Sequence, residues 1–161
     1  MPSITIEYVI LIPLLFTQVI VFPFVASTMT SSWQDSQRDI ELQDAADHLA
    51  STIQQLYLTV NRDEILAGDI TQASTVPVTV GSYPYNATCS LSNPPDDSTK
   101  ILTVTLTLDE LGNTVTAASV LGPNVQWTES TLRSNSADAS INVNKFSNST
   151  HTILTFSFGA D

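Results

Sequence analysis

The stretch ITIEYVILIPLLFTQVIVFPFVAS, residues 4–27, restricts this chain more than any other segment. An α-helix needs about 20 consecutive apolar residues to cross the hydrocarbon core of a bilayer, and this stretch supplies them. Thirteen of the residues 9–25 are Val, Ile, Leu or Phe. Each favours insertion by roughly 0.3 to 0.6 kcal/mol, about 4 to 8 kcal/mol in sum. Glu7, Pro13, Gln18 and Pro23 offset part of that gain. Nothing between Tyr8 and Gln34 is charged, and no Lys or Arg stands ahead of the apolar run. A secretory signal peptide begins with a basic segment, has a shorter apolar centre and ends in a small-residue cleavage site. The pattern is therefore that of a membrane span over residues 4–27, with Glu7 placed where lipid penalises its charge.

The chain has 161 residues, enough for the span and one domain of ordinary size. Of these, 42% are hydrophobic and only 13% charged, so the remainder holds enough apolar surface for a core and is not a disordered acidic tail. Sixteen acidic residues against 5 basic ones leave a net charge of -11. That field repels phosphate backbones and argues against nucleic acid as a partner. Cys89 is the only cysteine, which excludes an internal disulfide and a cysteine-based zinc site within one chain. Two N-glycosylation sequons, at Asn86 and Asn148, lie among turn-forming residues and favour an extracellular face.

Beyond the span, STMTSSWQ is a run of poor helix formers expected to mark the membrane exit, and Ser32 with Asp35 resembles a capping box from which a helix can restart. From there an amphipathic extension is expected over residues 32–61. Leu42, Ala46, Leu49, Ile53, Leu56 and Val60 follow one another at spacings of four and three, which makes one helix face an apolar seam. Two coverings suit that seam: the chain's own domain, or the helices of other copies. Acidic residues from Asp35 to Asp47 crowd the expected first turns, where a helix dipole favours them.

From about residue 75 the period becomes two. KILTVTLTL places Leu102, Val104, Leu106 and Leu108 on one face and Thr103, Thr105 and Thr107 on the other. Further strands are expected at residues 114–121, 125–132, 139–146 and 151–158, with TVPVTV at 75–80 demoted to an edge by Pro77. The fold class is α+β: residues 1–62 form a long N-terminal hydrophobic helix, and residues 63–161 an antiparallel, β-rich, sandwich-like head.

No constellation for catalysis is visible. His48 lies among helix acids and His151 opens the last strand, and lone histidines in such places are more often structural than catalytic. Asp44, Asp47 and His48 share enough of a helix face to suggest zinc, but a solvated acidic face explains them more simply. Asp96 and Asp97 fall short of the six to eight oxygens of a calcium site. No phosphate loop, activated serine or cofactor motif is present. No enzyme activity, cofactor or metal is expected.

The N-terminus resembles the class III signal-peptide proteins, the type IV pilins with their archaeal and TadE-like relatives. Glu7 matches the family's glutamate at the head of a long apolar helix. Its spacing to Pro13 in EYVILIP is similar to the TadE-like pattern, and Pro23 resembles the proline found later in pilin helices. With Ser3 as the mature first residue, Glu7 stands fifth, where the family places it; counted from Met1 it stands seventh. The helix followed by a Thr-rich head is most similar to archaeal pilins. The resemblance implies a subunit stored in the membrane and polymerised through its apolar helix, with Glu7, Pro13 and Pro23 serving assembly. It also implies a prepilin peptidase, an assembly machinery and copies of the chain as partners, and an extracellular filament, with surface adhesion as its role. In such a core Glu7 would pair with a neighbouring N-terminal amine; the plainer alternative leaves its carboxylate among the headgroups. The competing function is a monomeric membrane-anchored extracellular binding domain.

Overall fold

The computed structural model describes residues 3–92, 99–148 and 151–159, with side chains from Val9 onward. One helix and eight strands follow in chain order: α1 (Ser3–Val60), β1 (Gly68–Ala73), β2 (Tyr85–Ser92), β3 (Lys100–Leu108), β4 (Thr114–Leu121), β5 (Val125–Trp127), β6 (Thr131–Arg133), β7 (Ser140–Ser147) and β8 (Thr152–Gly159). The chain divides into two compact units, Met1–Gln37 and Arg38–Asp161. Among the described residues the first is helix alone. The second unites the end of α1 with all eight strands.

Helix α1 does not stop at STMTSSWQ and restart at Ser32, as its composition suggests; it runs through. Ser and Thr weaken helices by offering the backbone other hydrogen bonds, but here their hydroxyls bond along the helix itself. The Thr28 hydroxyl donates to the carbonyl of Val25 (2.8 Å), Thr30 to Ala26 (2.8 Å), Ser31 to Ser27 (3.0 Å) and Ser36 to Ser32 (3.0 Å). Ser32 is thus an acceptor inside a helix, and the expected cap does not exist.

The strands form two four-stranded sheets, ordered β1-β7-β8-β5 and β4-β3-β2-β6. Pairing is antiparallel except between β5 and β8, which are parallel with Gln126 opposite Thr155. The alternation of β3 is realised in full: Leu102, Val104, Leu106 and Leu108 are completely buried, while its threonines face outward. Leu154 and Phe156 of β8 are completely buried in the same way in the other sheet, and Phe158 nearly so. Inner faces of both sheets and the seam of α1 join in one core.

Three strand expectations are corrected. TVPVTV is not a strand. Its end enters a tight turn in which Val80 and Tyr83 exchange both backbone hydrogen bonds (2.9 and 3.0 Å), with Gly81 at φ 54° and Ser82 at φ 76°. Two successive positive φ values define a type I′ turn, and a Cβ on Gly81 would lie 2.9 Å from the Arg38 side chain. The edge strand is instead β1, which Gly68 opens. The segment from residue 85, read from sequence as a turn region, is β2, a central strand between β3 and β6. The run at 125–132 is two short strands in different sheets, because the chain passes from one sheet to the other between Trp127 and Thr131.

Candidate functional site

Two parts of the molecule carry the residues singled out from sequence: the apolar half of α1 and the docked half of the same helix.

In the N-terminal unit, the large apolar side chains of residues 9–25 are 45% to 74% exposed. The most apolar 18-residue window has a mean hydropathy of 2.5, and none of it is buried. Pro13 and Pro23 both lie within the helix. Each lacks the N–H that would bond the carbonyl four residues earlier, so the carbonyls of Val9 and Val19 lose their usual donors. The Thr17 hydroxyl donates to the carbonyl of Pro13 (2.8 Å). Glu7 lies on α1, but its side chain falls outside the described residues. A helix with this length, hydropathy and exposure is suited to a membrane.

In the second unit the seam is closed. Leu42, Ala46, Leu49, Ile53 and Val60 are at most 1% exposed, and Leu56 is 8% exposed. Of the two coverings open to the sequence, the chain's own head is the one found. Full burial of six such side chains contributes on the order of 10 kcal/mol, at about 1.5 to 3 kcal/mol for each large one. Ala45, Ala50 and Tyr57 are buried beside them.

A second row of contacts, absent from the sequence reading, runs one residue beyond the seam. Gln43 Nε2 donates to the carbonyl of Thr116 (3.2 Å), and Gln54 Nε2 to that of Val120 (3.4 Å). Both carbonyls belong to β4, the outermost strand of its sheet. Asn113 Nδ2, in the turn before β4, donates to Asp39 (2.6 Å). Past the end of β4, the Tyr57 hydroxyl donates to Asn124 Oδ1 (3.3 Å), Asn124 Nδ2 to Asn61 Oδ1 (2.8 Å), and Asn61 Nδ2 to the Tyr57 oxygen (3.3 Å). A Cβ on Gly122 would lie 2.0 Å from that hydroxyl, so any other residue there would displace the end of the Tyr57 side chain. Gln43, Gln54, Tyr57 and Asn61 each follow a seam residue, and that offset was the legible clue. Helix α1 thereby occupies an edge that would otherwise present unpaired carbonyls.

The C-terminus of α1 is capped from β7. Lys145 is 4% exposed, and its ammonium donates to the carbonyls of Val60 (2.8 Å) and Arg62 (2.7 Å). A cation there satisfies the terminal Val60 carbonyl and complements the helix dipole, while the Arg62 carbonyl also accepts from the Ile65 N–H (3.2 Å). Lys100 likewise donates to the carbonyl of Val125 (2.8 Å), and the Arg38 guanidinium lies 5.4 Å from the centre of the Tyr83 ring. Three of the five basic residues thus make contacts that hold the head together.

The sequons differ. Asn86 is not in a turn: it sits half-buried on β2, its Nδ2 donates to Asp109, and its Oδ1 has no partner. Asn148 is exposed beyond β7, and its N–H donates to the carbonyl of His151 (2.9 Å). Its sequon partners, Ser149 and Thr150, lie outside the described residues, as do Asp96 and Asp97. His48, Asp44 and Asp47 are exposed on α1, and among the described residues no three His, Cys, Asp or Glu side chains gather as a metal would require. Burial pushes the Cys89 thiol well above its ordinary range, which leaves little reactive thiolate at neutral pH. His151 lines an open groove of about 540 Å³ with Lys100 and Gln126. A polar groove of about 410 Å³ crosses the outer face of the β1-β7-β8-β5 sheet, between Asp69, Thr71, Asn142, Asn144 and Ser157.

No protein-family model, no curated protein and no solved structure matches this chain.

Proposed function

We propose that this chain is a structural subunit of an extracellular, type IV pilus-like filament of the archaeal kind, stored in a membrane and polymerised through the apolar half of α1. One observation carries the reading. The docked half of the helix has its apolar seam covered by the head, whereas residues 9–25 leave every large apolar side chain exposed. Water disfavours such a surface at about 25 cal/mol per Å², so it needs lipid before assembly and other copies of the helix afterwards. The glutamate at the head of the span, Glu7, is then the group that pairs with a neighbouring amine in the core, and Pro13 and Pro23 shape the helix for packing. A prepilin peptidase and an assembly machinery are the further partners of this reading, and adhesion to surfaces is its role.

The test is electron microscopy of material sheared from cells, with N-terminal sequencing of this chain within it. Filaments that contain the chain support the reading. A chain that stays monomeric and soluble when detergent is withdrawn, with none in sheared material, overturns it. The polar groove beside Asn142 and Asn144 favours the second reading, a membrane-anchored binding domain acting as a monomer.

A further inference from the structure

We infer that the membrane-embedded part of α1 does not end near residue 27 but continues to Trp33, whose indole lies in the headgroup layer of the bilayer. The inference rests on the membrane-stored state of the proposed function and not on filament formation.

Length is the first ground. Residues 4–27 number 24 and reach about 36 Å at 1.5 Å per residue, enough for the hydrocarbon core of about 30 Å but short of both headgroup layers. The uncharged stretch is longer: residues 8–34 number 27 and reach about 40 Å, close to the 40 to 45 Å of a bilayer with its headgroup regions. Tyr8 and Trp33 stand at its two ends, and these are the two side chains enriched at membrane interfaces. Asp35 is the first charge beyond them.

Chemistry is the second. Residues 27–32 are rich in hydroxyls, and an unpaired hydroxyl in hydrocarbon is costly. Thr28, Thr30 and Ser31 each donate to a carbonyl of the preceding turn, so the segment enters an apolar layer with those donors already satisfied. Met29 and Trp33, one turn apart, are 69% and 65% exposed, and they line one shallow surface with the hydroxyl residues Thr28, Ser32 and Ser36, a mixed lining that suits an interfacial layer. A helix continuous through this segment carries them straight on from the span.

The experiment uses the full chain in phosphatidylcholine vesicles. Trp127→Phe leaves Trp33 as the only indole, and Trp33→Phe serves as its counterpart. Co-flotation with the vesicles is measured first, then Trp33 emission with quenchers attached at shallow and deep positions of the acyl chain. The expected result is a blue shift on reconstitution, protection from iodide, and stronger quenching by the shallow label than by the deep one. Co-flotation with water-like, iodide-accessible emission overturns the inference and leaves membrane storage standing. So does a blue shift that depends on protein concentration and persists in lipid-free detergent, which assigns this surface to contacts between copies. Failure of the chain to float overturns the inference and membrane storage together. Loss of filaments in sheared material with the expected quenching overturns the polymer alone.

Discussion

Two polar side chains inside the core show what burial does to single groups. Tyr85 is fully buried, and its hydroxyl donates to the carbonyl of Pro77 (2.6 Å). Burial pushes that hydroxyl up to about 12 from an ordinary 10.0. The folded chain therefore holds a proton that the unfolded chain begins to release near pH 10. The resulting stability is complete below that pH and is lost as pH rises towards 12. Denaturant midpoints should fall across that window, by roughly 2 to 3 kcal/mol of stability. Because Cys89 acts in the same direction, the comparison belongs in a Cys89→Ala background, where Tyr85→Phe should flatten the alkaline slope. An unchanged slope would assign it to other groups. Lys145→Met should cost about 2 to 4 kcal/mol, since hydrogen bonds from a charged donor are worth roughly 1.5 to 3 kcal/mol each and the Val60 carbonyl would be left without the ammonium, whereas that of Arg62 keeps the Ile65 N–H. Urea unfolding measures it, and a loss below about 0.5 kcal/mol, the scale of an ordinary surface substitution, would show that water replaces the ammonium.

The single helix is two elements in its chemistry. Its seam is an internal wall of the head, so Ile53→Asp would bury an unpaired carboxylate and should destabilise by more than about 3 kcal/mol. Circular dichroism of the purified variant should show a head unfolded or near its midpoint; wild-type melting would mean that this face is not covered. The row of Gln43 and Gln54 makes a different prediction. Exposed neutral hydrogen bonds are worth about 0.5 to 1.5 kcal/mol each, so Gln43→Ala with Gln54→Ala should lower stability only modestly. The larger effect should be on solution behaviour, because the edge of β4 then offers free carbonyls to another chain. Light scattering on heating should rise earlier than expected from the stability change alone; scattering that tracks stability would show that the glutamines do not guard the edge.

For the whole molecule, the contrast between the exposed span and the covered seam of α1 leads to the prediction that separates membrane storage from the proposed assembly. Glu7→Gln should still insert, because an amide is cheaper in lipid than a carboxylate. If the proposed filament pairs Glu7 with a neighbouring amine, incorporation should fail, because loss of one partner from a buried pair costs roughly 3 to 5 kcal/mol and every subunit would repeat the loss. The ratio of sheared filament to membrane-stored chain should therefore drop well below wild type. An unchanged ratio would make Glu7 a headgroup residue with no part in pairing, whatever the filament proves to be.

Where a signal is local, the sequence determined the outcome. The apolar run follows from its length, and the seam from Leu42 to Val60 and the alternation of β3 from periods of 3.6 and 2, since each side chain's face is set by its neighbours along the chain. Tertiary structure alone decided the rest. Which body covers the seam depends on strands more than forty residues away, such as β3. The helix survives STMTSSWQ because hydroxyl groups bond back along it, an outcome that propensity summed over residues does not contain. Asn86 stands on a central strand because β3 and β6 flank β2, and the run at 125–132 divides because its two ends pair with different sheets. Lys145 caps α1 only because β7 brings it to the end of that helix. In each case the deciding energy comes from a partner distant in sequence, and no period within the segment reports on that partner.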